Sequence, residues 1–322
     1  MPLKTSLTGS YPPIHDPYSL IHLLPEQEQD QLVRESIQRA VEDQLRLGID
    51  VLVDGQVRGD IVTLFARKMP GFDWNGPQLC VTGHIRPAAD SITLADFQYA
   101  RALAPGCVMK AHLTGPLSLS RGVNLHPDAP YSGNDDPALL LDLACALADE
   151  AKALVENGAE IVQIDEPVLQ DGFNLGEAFK LLELIIKRAN IPFPALHACG
   201  DVTLILDDIL EQAPVRMVSI EGDWLNHPRL QHIQQNGLEK VGKQIGLGCI
   251  NPSDDQIVRS VRLKRFMESM VQRLGEACIW AVMPNCGLRT TEYSLAYRKL
   301  AEFVEAARQA EWGRSLEVSE EI

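Results

Sequence analysis

The chain has 322 residues, 45 % hydrophobic and 23 % charged, proportions that suit a globular protein of one large or two small domains. Its formal net charge is −15, with no Lys/Arg cluster and no interleaving of basic and aromatic residues. That argues against nucleic acid as a partner and disfavours a strongly polyanionic substrate.

The first residues, MPLKTSLTGSYPP, hold no secretory core, and no apolar run reaches membrane-spanning length. Seven scattered cysteines, an odd number, then point to reduced thiols and a cytoplasmic setting. Residues 3–8 form the first predicted strand, closed by the turn Gly9-Ser10-Tyr11-Pro12-Pro13, and 29–47 have helical spacing that Gly48 stops. IDVLV at 49–53 is the second strand, followed by Asp54-Gly55-Gln56 and a short helix at 60–68. Residues 70–104 are rich in Gly and Pro and read as an inserted hairpin with a helical segment. A strand at 108–113 ends in Thr114-Gly115-Pro116, and a polar loop at 124–136 leads to a helix at 137–157.

Beyond that point the rhythm is regular. Strands at 160–164, 194–197, 215–220, 241–247 and 278–282 alternate with helices at 175–189, 202–212, 227–236, 254–274 and 292–310. An acidic, frayed tail is expected at 312–322. Short, continuously apolar strands alternating with helices imply a parallel sheet, and eight such units imply a closed (β/α)8 TIM barrel in a single domain. An open doubly wound sheet is the alternative, but neither GxGxxG nor GxxxxGK[ST] follows the first strand.

Function in such a barrel collects at the C-terminal ends of its strands. Those ends carry Gly9 and Ser10, Gln56, Thr114, Asp165 and Glu166, His197-x-Cys199, Glu221, the stretch 248–253 with Asn251 and Ser253, and Asn285-Cys286-Gly287. Residues i and i+2 of a strand share a face, so His197 and Cys199 leave theirs in one direction, as half of a metal site. Taken singly, each candidate has a bland reading: a structural His or Cys, an N-cap acid at Glu221, a buried turn residue at Cys286. The coincidence of His197, Cys199, Glu221 and Cys286 at one barrel mouth favours Zn2+, which accepts S, N and O donors.

Two thiolates and a carboxylate would give the zinc complex a net charge of about −1, a poor arrangement for activating water. It suits holding a substrate thiol, of pKa about 8.5, as a reactive thiolate. Glu221, the sole oxygen donor, is the ligand expected to loosen when that sulfur arrives. Alkyl transfer to sulfur is the predicted reaction.

LHACGD, VSIEGD and MPNCGLRT, in this order, resemble the zinc-binding motifs of the catalytic barrel of cobalamin-independent methionine synthase. TGSYP, LTGPLSL and QIDEPVL are similar to further motifs of that family, and the resemblance runs over nearly the whole chain. It implies that His197, Cys199, Glu221 and Cys286 bind zinc, that Ser10 contacts the carboxylate of homocysteine and that Asp165 contacts its amino group. The residues agree in kind: an amino acid needs a donor-rich turn for its carboxylate and an anion for its ammonium. Capping remains the alternative role for Ser10, Asp165 and Glu166.

Three departures from the family pattern stand out. The length leaves room for the catalytic barrel only, a short "core" form without the family's N-terminal barrel; DGQVRGD replaces HGExER, with Gln56 a partial substitute for the family acid; and Ser253 in GCINPSD stands where a proton-relaying His is expected. A folate amine needs a proton to leave and a corrinoid does not, so the expected methyl donor is a methylcorrinoid, either methylcobalamin or a corrinoid protein. The alternatives are methyl-folate as donor, another thiol such as coenzyme M as acceptor, a uroporphyrinogen-type decarboxylase, and a non-catalytic protein binding zinc or a corrinoid partner.

Overall fold

The structure, a computed structural model, describes residues 3–15, 24–76 and 78–310; the tail expected at 312–322 lies outside these residues. In chain order the elements begin with α1 (Glu26–Leu47), β1 (Val51–Leu52), α2 (Thr63–Ala66), β2 (Phe72–Asn75), β3 (Gln78–Val81) and α3 (Leu94–Leu103). They continue with β4 (Val108–Thr114), α4 (Pro116–Arg121), β5 (Asn124–Leu125), α5 (Pro137–Glu156), β6 (Ile161–Asp165) and α6 (Leu175–Ala189). The last part holds β7 (Phe193–His197), α7 (Leu206–Gln212), β8 (Met217–Ile220), α8 (Gly222–Leu225), α9 (Gln235–Val241), β9 (Gln244–Ile250), α10 (Ser260–Leu274), β10 (Ile279–Pro284) and α11 (Tyr293–Gln309).

Seven strands pair side by side in the order β1-β4-β6-β7-β8-β9-β10, all parallel. The N-terminal segment joins the two free edges: Thr5 bridges Val282 of β10 and Ser6 bridges Val51 of β1, both parallel. Ser6 N–H donates to Val282 O (3.1 Å), Val282 N–H to Lys4 O (2.8 Å) and Val51 N–H to Thr5 O (3.0 Å). The ring is therefore closed and no sheet edge is exposed there. The remaining strands form a small side sheet, an antiparallel hairpin of β2 and β3 with β5 added in parallel.

Strand alternation produces two cores. Val51, Ile161, Ala195, Met217, Ala281 and Met283 form one cluster, joined by Trp280 where a register irregularity breaks the alternation of β10. Residues of opposite parity, such as Val162, Ile164, Leu196 and Val218, join the larger core under the helices. Side chains cap some helix starts: Asp136 accepts from Ala138 N–H at the start of α5, and Glu292 from Ser294 and Leu295 N–H at the start of α11.

The helix expected at 227–236 is absent as such. Pro228–Leu230 forms a single 3-10 turn, Gln234 is extended (φ −138°, ψ 170°), and α9 starts only at Gln235. Leu230 and Ile233 are buried while their neighbours are exposed, so the segment is pinned at two points and lacks the continuous apolar stripe of a packed helix. Between β4 and α5, the loop expected at 124–136 opens with the short strand β5, and α4 forms ahead of it, with Pro116 in its first turn favouring that start.

Candidate metal and substrate site

The cross-strand register sets the site. Asp165 of β6 lies opposite His197 of β7, and His197 opposite Ser219 of β8, all at the C-terminal mouth. His197 Nδ1 is 3.1 Å from Ser219 Oγ, which orients the ring, while its buried Nε2 has no hydrogen-bond partner among the described residues. Cys199 follows in the turn after β7, and its Sγ is 3.3 Å from Sγ of Cys286, in the turn after β10. The ligand atoms of His197, Cys199 and Cys286 all lie within 4.8 Å of one another.

Glu221, at the end of β8, stands beside this trio. Its Oε1 accepts from Gly200 N–H (2.9 Å) and lies 3.7 Å from Cys199 Sγ. The hydrogen bond between the two thiols pulls the pKa of Cys286 down and pushes that of Cys199 up. Burial works against a charged His197, but the neighbouring Cys286 sulfur and Asp165 outweigh it, and its pKa is raised. An unpartnered buried imidazole nitrogen next to two thiols is a donor set that fits a zinc ion.

A cavity of about 200 Å³ opens between this trio and Ser10, Gln56 and Asp165. Asp165 is buried, which raises its pKa. Its Oδ1 accepts from Gln163 Nε2 (2.7 Å) and its Oδ2 from Gln56 Nε2 (3.3 Å). Ser10 Oγ accepts from Arg289 N–H (3.3 Å), and Arg289 Nη1 donates to the carbonyls of Gln56 (3.2 Å) and Val57 (3.1 Å), tying three turns together. Close approach explains two glycines here: a Cβ on Gly9 would lie 2.3 Å from Gln56 Oε1, and one on Gly287 2.1 Å from Ser10 Oγ.

The other candidates sit elsewhere. Thr114 Oγ1 donates to Ile61 O (2.5 Å), holding the loop after β1 against the barrel. Glu166 turns away from the cavity and accepts from Leu117 N–H (3.0 Å), Ser118 N–H (2.9 Å) and Ser118 Oγ (2.6 Å) at the start of α4. Asn251 Oδ1 accepts from Ser253 N–H (2.9 Å) in an exposed turn, and neither residue lines the cavity. A larger cavity, about 630 Å³, lies near the start of β4 beside Arg101 and Cys107, remote from these groups.

Lys110, His112, Gln163, Ser219 and Arg289 were not singled out in the sequence, yet they surround or support the site. A signal existed: polar residues at i, i+2 and i+4 within otherwise apolar strands, Lys110-x-His112-x-Thr114 and Gln163-x-Asp165, mark the face turned into the barrel.

The fold and its strand-end cluster define a (β/α)8 barrel whose mouth carries a His-Cys-Cys group that could hold a metal ion. The family model described as "Cobalamin-independent synthase, Catalytic domain" matches residues 3–309, and the chain belongs to that family. It is thereby a methyltransferase of the methionine-synthase type. It is 32 % identical to a methionine synthase of Methanocaldococcus jannaschii over 287 residues, covering 85 % of this chain and 88 % of that one. A methionine synthase of Methanothermobacter marburgensis is 30 % identical over 284 residues, covering 86 % and 89 %. Among solved structures, a B12-independent methionine synthase from Shewanella sp. W3-18-1 in complex with selenomethionine superposes with a TM-score of 0.78 at 20 % identity, covering 96 % and 97 %, and shares the fold.

One expectation is overturned. The family is cobalamin-independent, so the methylcorrinoid donor expected above, free methylcobalamin or a corrinoid protein, does not stand. That expectation rested on a length that leaves room for the catalytic barrel only and on two substitutions, Gln56 for an acid and Ser253 for a histidine, and a missing element does not specify what binds in its place. Among the described residues, no helix is long and apolar enough to cross a membrane.

Proposed function

We propose that the chain transfers a methyl group from a methyl-tetrahydrofolate to the sulfur of homocysteine with the help of one zinc ion. The observation that carries this reading is the unpartnered His197 Nε2 grouped with two thiols on one wall of a cavity whose other wall presents Asp165 and Ser10. His197, Cys199 and Cys286 would hold the ion, with Glu221 the adjacent oxygen donor. Bound there, it supplies the positive charge that lowers a substrate thiol from a pKa of about 8.5 and keeps it as thiolate.

The chain's own residues place the rest of the substrate. Each Asp165 oxygen accepts one side-chain amide and retains lone pairs for an ammonium. Ser10 Oγ accepts from the Arg289 backbone, which leaves its own hydrogen for a carboxylate. As the sulfur–methyl bond forms, the methyl–nitrogen bond breaks, and its electron pair goes to the folate nitrogen, which takes up a proton. The buried Asp165 favours an amino-acid thiol over coenzyme M, which has no ammonium to pair with it. Among the described residues, no Lys or Arg lines the cavity, which argues against the many carboxylates of a uroporphyrinogen-type substrate. Two thiols 3.3 Å apart that must stay reduced suit the cytoplasm.

The test is methionine formation from homocysteine and methyl-tetrahydrofolate by the purified enzyme, before and after chelation and after return of Zn2+. Activity should vanish with the metal and return with it. A metal-free sample that works at full rate, or no turnover with this donor, would overturn the proposal.

A further inference from the structure

None of the steps above uses Lys110, a lysine with no exposed surface in the interior of the barrel. Its Nζ donates to Leu7 O (2.9 Å), Thr8 O (3.2 Å) and Gln163 Oε1 (2.6 Å), so each hydrogen of the ammonium has an acceptor. Burying a cation is costly unless it is paired and hydrogen-bonded, so its place calls for a reason. Desolvation has already lowered its pKa to about 7, against the attraction of Asp165.

The reason lies in what an ammonium can only do, which is donate. Lys110 occupies the oxygen end of the Gln163 amide and fixes which way that amide faces. Nε2 is then the end that reaches Thr8 O (2.8 Å) and Asp165 Oδ1 (2.7 Å). A flipped amide would set an NH2 group against the ammonium and an oxygen against the carboxylate, two repulsive contacts. Cross-strand register stacks the three side chains. Lys110 pairs with Ile161, His112 with Gln163, and Thr114 with Asp165, so Lys110 lies one inward layer below Gln163 and Gln163 one below Asp165. His112 Nε2, also 2.9 Å from Thr8 O, completes the floor.

We propose that Lys110 and Gln163 form a positioning pair that holds Asp165 and the Leu7–Thr8 carbonyls in place, and so sets the preference for a thiol that carries an amino group. This rests on the reading of Asp165 as the ammonium partner.

The experiment compares homocysteine with the same thiol acid lacking its amino group, 4-mercaptobutanoate. kcat and KM for homocysteine, the inhibition constant of 4-mercaptobutanoate, metal content and Tm are measured for wild type, Lys110→Met, Gln163→Leu, Gln163→Glu and Asp165→Asn. Lys110→Met and Gln163→Leu roughly conserve volume and keep the core apolar, so at least one of them should fold. Each should raise KM for homocysteine about tenfold, the effect of a lost hydrogen bond to a charged group. kcat, metal content and the inhibition constant should stay near wild type. Gln163→Glu keeps an acceptor for Lys110 but aims a second carboxylate at Asp165, and should disturb KM most.

If Asp165→Asn removes the preference for homocysteine while Lys110→Met and Gln163→Leu keep it, the positioning role is overturned and the reading of Asp165 survives. An equal weakening of both thiols by Lys110→Met would show a merely structural lysine and also overturn it. If Asp165→Asn itself leaves the preference intact, the ammonium reading fails and takes this inference with it.

Discussion

The two walls of the cavity are built on opposite terms. On the ligand wall, His197 Nε2 has no hydrogen-bond partner among the described residues, and the two thiols lie against each other, His197 and Glu221. On the substrate wall, Asp165, Gln163 and Lys110 are all engaged in a continuous chain of hydrogen bonds that ends on backbone carbonyls. The first wall is left to be completed by something from outside. The second is finished before any substrate arrives, which keeps a buried carboxylate in one orientation at the moment it meets an ammonium.

The comparison breaks most sharply at Cys286. Cys286→Ser replaces a thiolate by a hydroxyl that holds zinc poorly, so metal content should fall and methionine formation should drop at least about a hundredfold. Metal analysis on the purified variant, beside the activity assay, checks this. A variant that loses its metal and keeps its rate would show that the open wall has another purpose.

A smaller effect is expected one layer behind the ligands. Ser219 Oγ stands 3.1 Å from His197 Nδ1 and also 3.1 Å from Met283 Sδ, so it fixes the ring without touching substrate. Ser219→Ala should weaken zinc binding about tenfold, read by competition with a chelator, and leave the rate near wild type once zinc saturates the site. An unchanged affinity would mean that packing alone orients His197.

Much of the molecule could be read from the chain because the strands are apolar and separated by clear helices. All eight barrel strands were located, including the first, although here it closes the barrel through only two bridges. His197, Cys199 and Cys286 were legible because strand ends in this fold meet at one mouth, so sequence distance did not hide them. The support beneath them was harder to see. Lys110 and Gln163 sit in mid-strand, where a single polar residue looks like noise unless its cross-strand partner is known, and that partner depends on register. The helix expected at 227–236 failed for a related reason: spacing cannot tell whether a short amphipathic run is pinned at two points or packed along its length.

Asp165 and Glu166 bring the two terms down to neighbouring residues. Alternation sends Asp165 into the cavity and Glu166 outward to the start of α4, where it accepts three hydrogen bonds. Burial nevertheless raises its pKa from 4.5 to about 7. Between those values the folded chain holds a proton that the unfolded chain has released, so stability falls as pH rises. The contribution is complete below 4.5 and lost as pH passes through about 7. Glu166→Gln cannot titrate and should remove this part of the profile. From about pH 5 to about pH 8 the wild-type Tm should fall by about 2 °C more than that of the variant, as seen by calorimetry. Parallel profiles would mean that the helix start keeps Glu166 ionised throughout, and that its hydrogen bonds outweigh its burial.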